Sequence, residues 1–100
     1  MMNVAIDEKG RTSLHVAAYF GWPIVIRDIS ELGANVNLST IDGRTPVFMA
    51  AQEGHVGALR VLFEFGADVN IAAINGYTPF LIAVQTGHVN MMRVLAALGQ

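Results

Sequence analysis

Apolar residues fall along this chain in two alternating patterns. Uninterrupted runs, such as Val47 to Ala51 and Phe80 to Val84, are each followed by a stretch with wider spacing. In that second stretch Leu59, Leu62 and Phe63 recur at i, i+3 and i+4, which is the stripe of an amphipathic helix. Polar and special residues punctuate both. Thr45 is placed to cap a helix with its hydroxyl. Pro46 fills the first helical position, where a missing N–H costs nothing, and Gly54 stops the helix. A second helix is predicted over residues 56–65, ended by Gly66. The following "GADVNIAAINGYTP" carries turn chemistry, including Asn75-Gly76. The predicted unit is a helix–turn–helix followed by a projecting hairpin loop.

The unit recurs. Gly10, Gly43 and Gly76 are spaced by 33, and Thr12, Thr45 and Thr78 follow in step. So do Ala17, Ala50 and Ala83, then Gly21, Gly54 and Gly87, then Arg27, Arg60 and Arg93. Residues 10–42 match 43–75 at 13 of 33 positions, and 43–67 match 76–100 at 12 of 25. Chance gives about two or three in either comparison. Two short helices bury little by themselves, so neighbouring units must complete each other's core. Ala17, Ala18, Ala50 and Ala51 are small enough to let successive first helices approach closely.

The period together with "GRTPVFMAAQEGHVGALRVLFEFGADVN" (residues 43–70) resembles the ankyrin repeat, whose signature holds T-P-L-H-x-A, then G-H, then G-A-D-V-N. The resemblance spans residues 7–100. It implies an all-α ankyrin-repeat solenoid of stacked helix–turn–helix units with projecting hairpin loops. One domain is expected over 1–100, with repeat 1 at about 10–42, repeat 2 at about 43–75 and a truncated repeat 3 at about 76–100. It also implies a non-catalytic protein-interaction module, binding a protein partner on the concave face made by hairpin tips and first helices. A second reading makes these residues one piece of a larger ankyrin-bearing enzyme, channel or adaptor whose activity lies outside the chain. Departures from the signature matter. Only repeat 1 keeps its His, so the family's Thr–His hydrogen bond is open to Thr12 and His15 alone. Asp28 and Ser30 stand where repeat 2 has Val61 and Phe63, which predicts a more polar outer face for a terminal repeat.

The totals narrow the function. A chain that is 53% hydrophobic and 14% charged is not disordered. No apolar run approaches the roughly 18–20 residues of a membrane span, so no membrane partner is expected, and "MMNVAIDEKG" lacks the pattern of a secretory signal. The net charge is −2 and the six Lys and Arg are scattered, so no nucleic-acid partner is expected. The absence of cysteine fits an intracellular setting, cytoplasmic or nuclear. No phosphate loop or nucleophile elbow occurs, and the three histidines lack the converging ligands zinc needs. No catalytic residue, cofactor or metal is therefore expected. His55 and His88 are expected to fix the corners between helices.

Candidate contacts are the positions that vary between repeats. In the hairpins these are Glu8, Lys9 and Arg11, then Ile41, Asp42 and Arg44, then Ile74, Asn75 and Tyr77. On the first helices they are Tyr19 and Phe20, Gln52 and Glu53, Gln85 and Thr86. Tyr19 and Phe20 replace polar pairs and suit binding anchors, although Phe20 could instead fold over Trp22. On the outer helices Arg27–Glu31 and Arg60–Glu64 are spaced for i, i+4 ion pairs. The resemblance also marks Asn70, with Leu62 and Asp68, as fitting the setting in which hairpin asparagines of such repeats are hydroxylated. Finally, Met91, Met92, Val94, Leu95 and Leu98 predict an oily last helix through which the chain self-associates weakly.

Overall fold

The computed structural model describes residues 3–99. Six helices follow one another: α1 (Ser13–Phe20), α2 (Pro23–Glu31), α3 (Pro46–Glu53), α4 (Val56–Glu64), α5 (Pro79–Thr86) and α6 (Val89–Leu98). No strand occurs among the described residues. The expected boundaries reach positions 1, 2 and 100, which lie outside the described residues. α4 ends one residue before the predicted limit, with Phe65 as its cap.

Local chemistry sets the helix ends. The hydroxyls of Thr12, Thr45 and Thr78 each accept from the backbone N–H three residues on, satisfying a free amide of the first turn. Each first helix closes on a glycine in the left-handed region, as at Gly54 with φ 75°, where a Cβ is disfavoured. Its N–H returns to the helix and the chain turns directly into the second helix.

The helix pairs then stack in series. α1 packs on α3 and α3 on α5, while α2 packs on α4. Ala17, Ala18, Ala50 and Ala51 are all buried to within 1%, so the small residues do lie where first helices meet. Repeat 2 is enclosed on both sides: Val47, Phe48, Leu59 and Leu62 are at most 2% exposed.

Successive hairpin tips are joined by the backbone. The Ile41 N–H donates to the Lys9 carbonyl at 2.9 Å and the Ile74 N–H to the Asp42 carbonyl at 3.0 Å. A side-chain bond repeats the link further along the loop, where the Asp68 N–H donates to Asn37 Oδ1 at 2.7 Å. The tips therefore stand as a row, held in register with the first helices below them.

Three expectations are corrected. Arg27 does not pair with Glu31, nor Arg60 with Glu64. Instead Arg27 reaches across repeats to Glu64 at 3.0 Å, because repeat stacking brings the next repeat's carboxylate alongside, and its guanidinium also lies over the Phe65 ring, 5.8 Å from the centroid. Ser30 does not face solvent. It is buried, and its hydroxyl has no hydrogen-bond partner; Asp28 is exposed as expected, but repeat 1 also exposes Trp22, Ile24, Val25 and Leu32. At the other end Met91 and Leu95 turn inward, at 1% and 3% exposure, and Met92, Val94 and Leu98 are half-buried. The apolar surface there belongs to Phe80, Leu81, Val84 and Val89, because α6 spends its own apolar stripe on α4 and α5.

Candidate functional site

The tips and first helices of repeats 1 and 2 enclose two adjoining recesses. One, of about 190 Å³, is lined by Arg11, His15, Val16, Tyr19, Phe20 and Met49. The other, of about 120 Å³, is lined by Lys9, Arg11, Thr40, Asp42, Arg44 and Met49. Arg11 and Met49 border both, so the two form one surface.

Its side chains are held by their neighbours. The carboxylate of Asp7 accepts from the Arg11 Nε at 2.6 Å and from the Lys9 and Arg11 amides. Burial works to raise its pKa, but these bonds and the Arg11 charge together hold it below the ordinary 3.8. Arg44 pairs with Asp42 at 3.2 Å, donates to Gln52 Oε1 at 3.2 Å and lies over the Phe48 ring. Asp42 also accepts from the Thr40 hydroxyl. That bond, with the Arg44 charge, keeps its pKa lowered against the opposing effect of burial. Gln52 in turn donates to Glu53. The Lys9 ammonium alone among these cations has no ion-pair partner among the described residues.

His15 forms the polar wall of the first recess. Its Nδ1 accepts from the Thr12 N–H at 3.1 Å, so Nε2 carries the proton and donates to the Arg44 carbonyl at 2.9 Å. The ring thus closes the cap of α1 and ties repeat 1 to repeat 2. Burial pulls its pKa below the ordinary 6.5, against the raising effect of the Arg44 carbonyl. Both nitrogens are occupied, so His15 is a structural post rather than a free base.

Aromatic rings form the upper rim. Tyr19 and Phe20 meet edge to face at 5.1 Å, and Phe20 stacks on Trp22 at 5.1 Å with an interplanar angle of 18°. Phe20 therefore does fold over Trp22, yet the pair stays open: Phe20 is 53% and Trp22 49% exposed. Stacking and exposure coexist, because the rings cover each other and little else.

Of the predicted contacts, Lys9, Arg11, Tyr19, Phe20, Asp42 and Arg44 line these recesses, Gln52 accepts from Arg44, and Glu53 accepts from Gln52. Ile41 and Ile74 are bare tips, at 68% and 76% exposure. Asn75 accepts from the Tyr77 amide, and Tyr77 is half-buried. Gln85 and Thr86 are exposed further along the row, with the Thr86 hydroxyl donating back to Ile82. Glu8 is exposed. Asn70 is exposed in the loop after α4, its amide donating to Asp68. Met49 and Val16 were missed by the sequence reading. They hold equivalent places in repeats 1 and 2 and look like core, and only the recess shows their outer edges. His55 and His88 begin α4 and α6, and their rings sit against Gly21 and Gly54 of the preceding repeat. Among the described residues no three His, Cys, Asp or Glu gather as metal ligands, and no helix is long and apolar enough to cross a membrane.

A family model described as ankyrin repeats, in three copies, matches residues 14–100. No curated protein matches the chain.

Proposed function

Since the chain belongs to the ankyrin-repeat family, whose repeats are generally protein–protein interaction modules, we propose that it binds a protein partner, without catalysis, on the concave face of repeats 1 and 2. The supporting observation is that Arg11 and Met49 border both recesses, which makes the aromatic rim and the charged tips one continuous surface. Tyr19 and Phe20 offer large, rigid apolar area of the type that anchors interfaces. Arg11 and Arg44 are already fixed by Asp7, Asp42 and Gln52, so little side-chain freedom is left for a partner to remove. The partner best suited presents an apolar side chain to the Tyr19–Met49 recess and polar backbone to the tips. An intracellular encounter, cytoplasmic or nuclear, is part of this proposal.

Capture of partners from a lysate, identified by mass spectrometry, supplies the ligand for the test. Tyr19→Ala and Phe20→Ala should each weaken it by at least about 1 kcal/mol, and Arg60→Ala, on an outer helix, should leave it unchanged. Stronger loss with Arg60→Ala, in a folded protein, overturns the concave-face assignment.

A further inference from the structure

The concave surface carries an unmatched cationic site beside its apolar recess. Both recesses are walled by residues of repeats 1 and 2 alone. Their shape is therefore set by the contact between those repeats and not by either end of the stack. Arg11 stands between the recesses and lines both. Its Nε is held by Asp7 at 2.6 Å, and its two terminal nitrogens make no hydrogen bond among the described residues. The guanidinium is thus fixed at one edge while its fork stays open to an acceptor. Such a planar fork matches a carboxylate through two parallel N–H···O bonds.

The charges around the fork are unequal. Lys9, Arg11, Arg44 and Asp42 line the second recess. Arg44 is matched by Asp42 and Arg11 by Asp7, which leaves the exposed Lys9 ammonium without an ion-pair partner among the described residues. Asp42 is engaged by Arg44 and by the Thr40 hydroxyl, and Glu8 and Glu53 line neither recess. Lys9 and the Arg11 fork therefore offer positive charge and open donors directly beside the recess of Val16, Tyr19, Phe20 and Met49. At about 190 Å³ that recess is smaller than the roughly 300–1,000 Å³ of a small-molecule pocket. It suits a single side chain of a peptide.

Resting on the concave-face reading, we propose that the partner is an acidic peptide segment. It seats one large apolar side chain in the Tyr19–Met49 recess and binds an Asp or Glu carboxylate with the Arg11 fork and Lys9. The recesses share two lining residues, Arg11 and Met49, so the carboxylate lies about two or three positions from the apolar residue in an extended chain. Apolar burial has no direction; the charge fixes which way the segment lies.

Selection of phage-displayed random linear peptides on the full chain tests this, followed by titration calorimetry with an enriched peptide. Enriched sequences should pair Asp or Glu with a large apolar residue at that spacing. Replacing the peptide's acid by its amide should weaken binding about five- to tenfold at low salt, with the difference shrinking as salt rises. Lys9→Glu, at an exposed position, should weaken the acidic peptide about tenfold, and a lysine in place of the peptide's acid should restore part of that loss. Arg11→Lys keeps a charge beside Asp7 but removes the fork, and should cost about fivefold. Circular dichroism checks the fold of each variant. If Tyr19→Ala abolishes binding while the charge exchanges change nothing, the acidic pairing is overturned and the concave-face reading stands. Indifference to Tyr19→Ala as well overturns both. A library that yields no binder, enrichment of basic or uncharged peptides, or a dimer of the free chain that Tyr19→Ala dissolves also overturns the proposal.

Discussion

Placing alanine at Gly54 should cost far more stability than placing it at Gly87, although the two glycines are equivalent in sequence and conformation. Both close a first helix with positive φ, 75° and 77°. An alanine in that region costs about 1–2 kcal/mol, and its lower entropy in the unfolded chain returns about 0.4–1 kcal/mol. Gly87→Ala should therefore lose about 1 kcal/mol, because its Cβ would meet nothing within 4 Å. At Gly54 the Cβ would lie 2.6 Å from Nδ1 and 2.8 Å from Cγ of His88. Those ring atoms are close to the His88 backbone, which is held by its N–H bond to Ala83 at 2.9 Å, so the ring cannot simply swing aside. Forcing the repeats apart adds an overpacking cost of about 1–3 kcal/mol, for a total near 2–4 kcal/mol. That is a large share of the about 5–15 kcal/mol expected of a whole domain. Urea unfolding followed by circular dichroism measures both losses. His88→Ala in the Gly54→Ala background should return the overpacking part, as a coupling of about 1–3 kcal/mol in a double-mutant cycle. Equal losses at the two glycines, or no coupling to His88, would refute the view that the His ring seals each repeat against the turn before it.

The remaining expectations concern single side chains. The lowered pKa of His15 means that the unfolded chain holds the proton more tightly, so its contribution is complete above pH 6.5 and is lost as pH falls through the folded value. Urea midpoints between pH 7.5 and 5 should drop less in His15→Phe than in the wild type, and an unchanged slope would clear His15 of that role. Ser30→Ala should raise stability by up to about 1 kcal/mol, since it removes a buried hydroxyl without a partner; a lower melting temperature would contradict this. Arg27 and Glu64 are each about half exposed, so a double-mutant cycle should give at most about 1 kcal/mol, weakened by salt, and no coupling between Arg27 and Glu31.

What the sequence determined by itself was the unit. Thr45, Pro46 and Gly54 act through hydrogen bonds and backbone limits that span three or four residues, so their effect can be read without knowing the neighbours. The period of 33 then made equivalent positions visible and required that units share a core. It also marked Lys9, Arg11, Tyr19, Phe20, Asp42 and Arg44 as positions that vary, which is where the recesses lie. Only the tertiary structure decided which equivalent positions differ in fact. Val47 and Phe80 occupy the same place in the repeat, yet one is 0% and the other 39% exposed, because burial depends on whether another helix pair lies beyond. For the same reason Arg27 found its carboxylate in the next repeat rather than one turn along its own helix, and Ser30 went inside. The second bond of His15, to the carbonyl of Arg44, spans 29 residues and carries no local signal. Stacking distance and the side a residue faces are properties of two repeats in contact, and no single repeat encodes them.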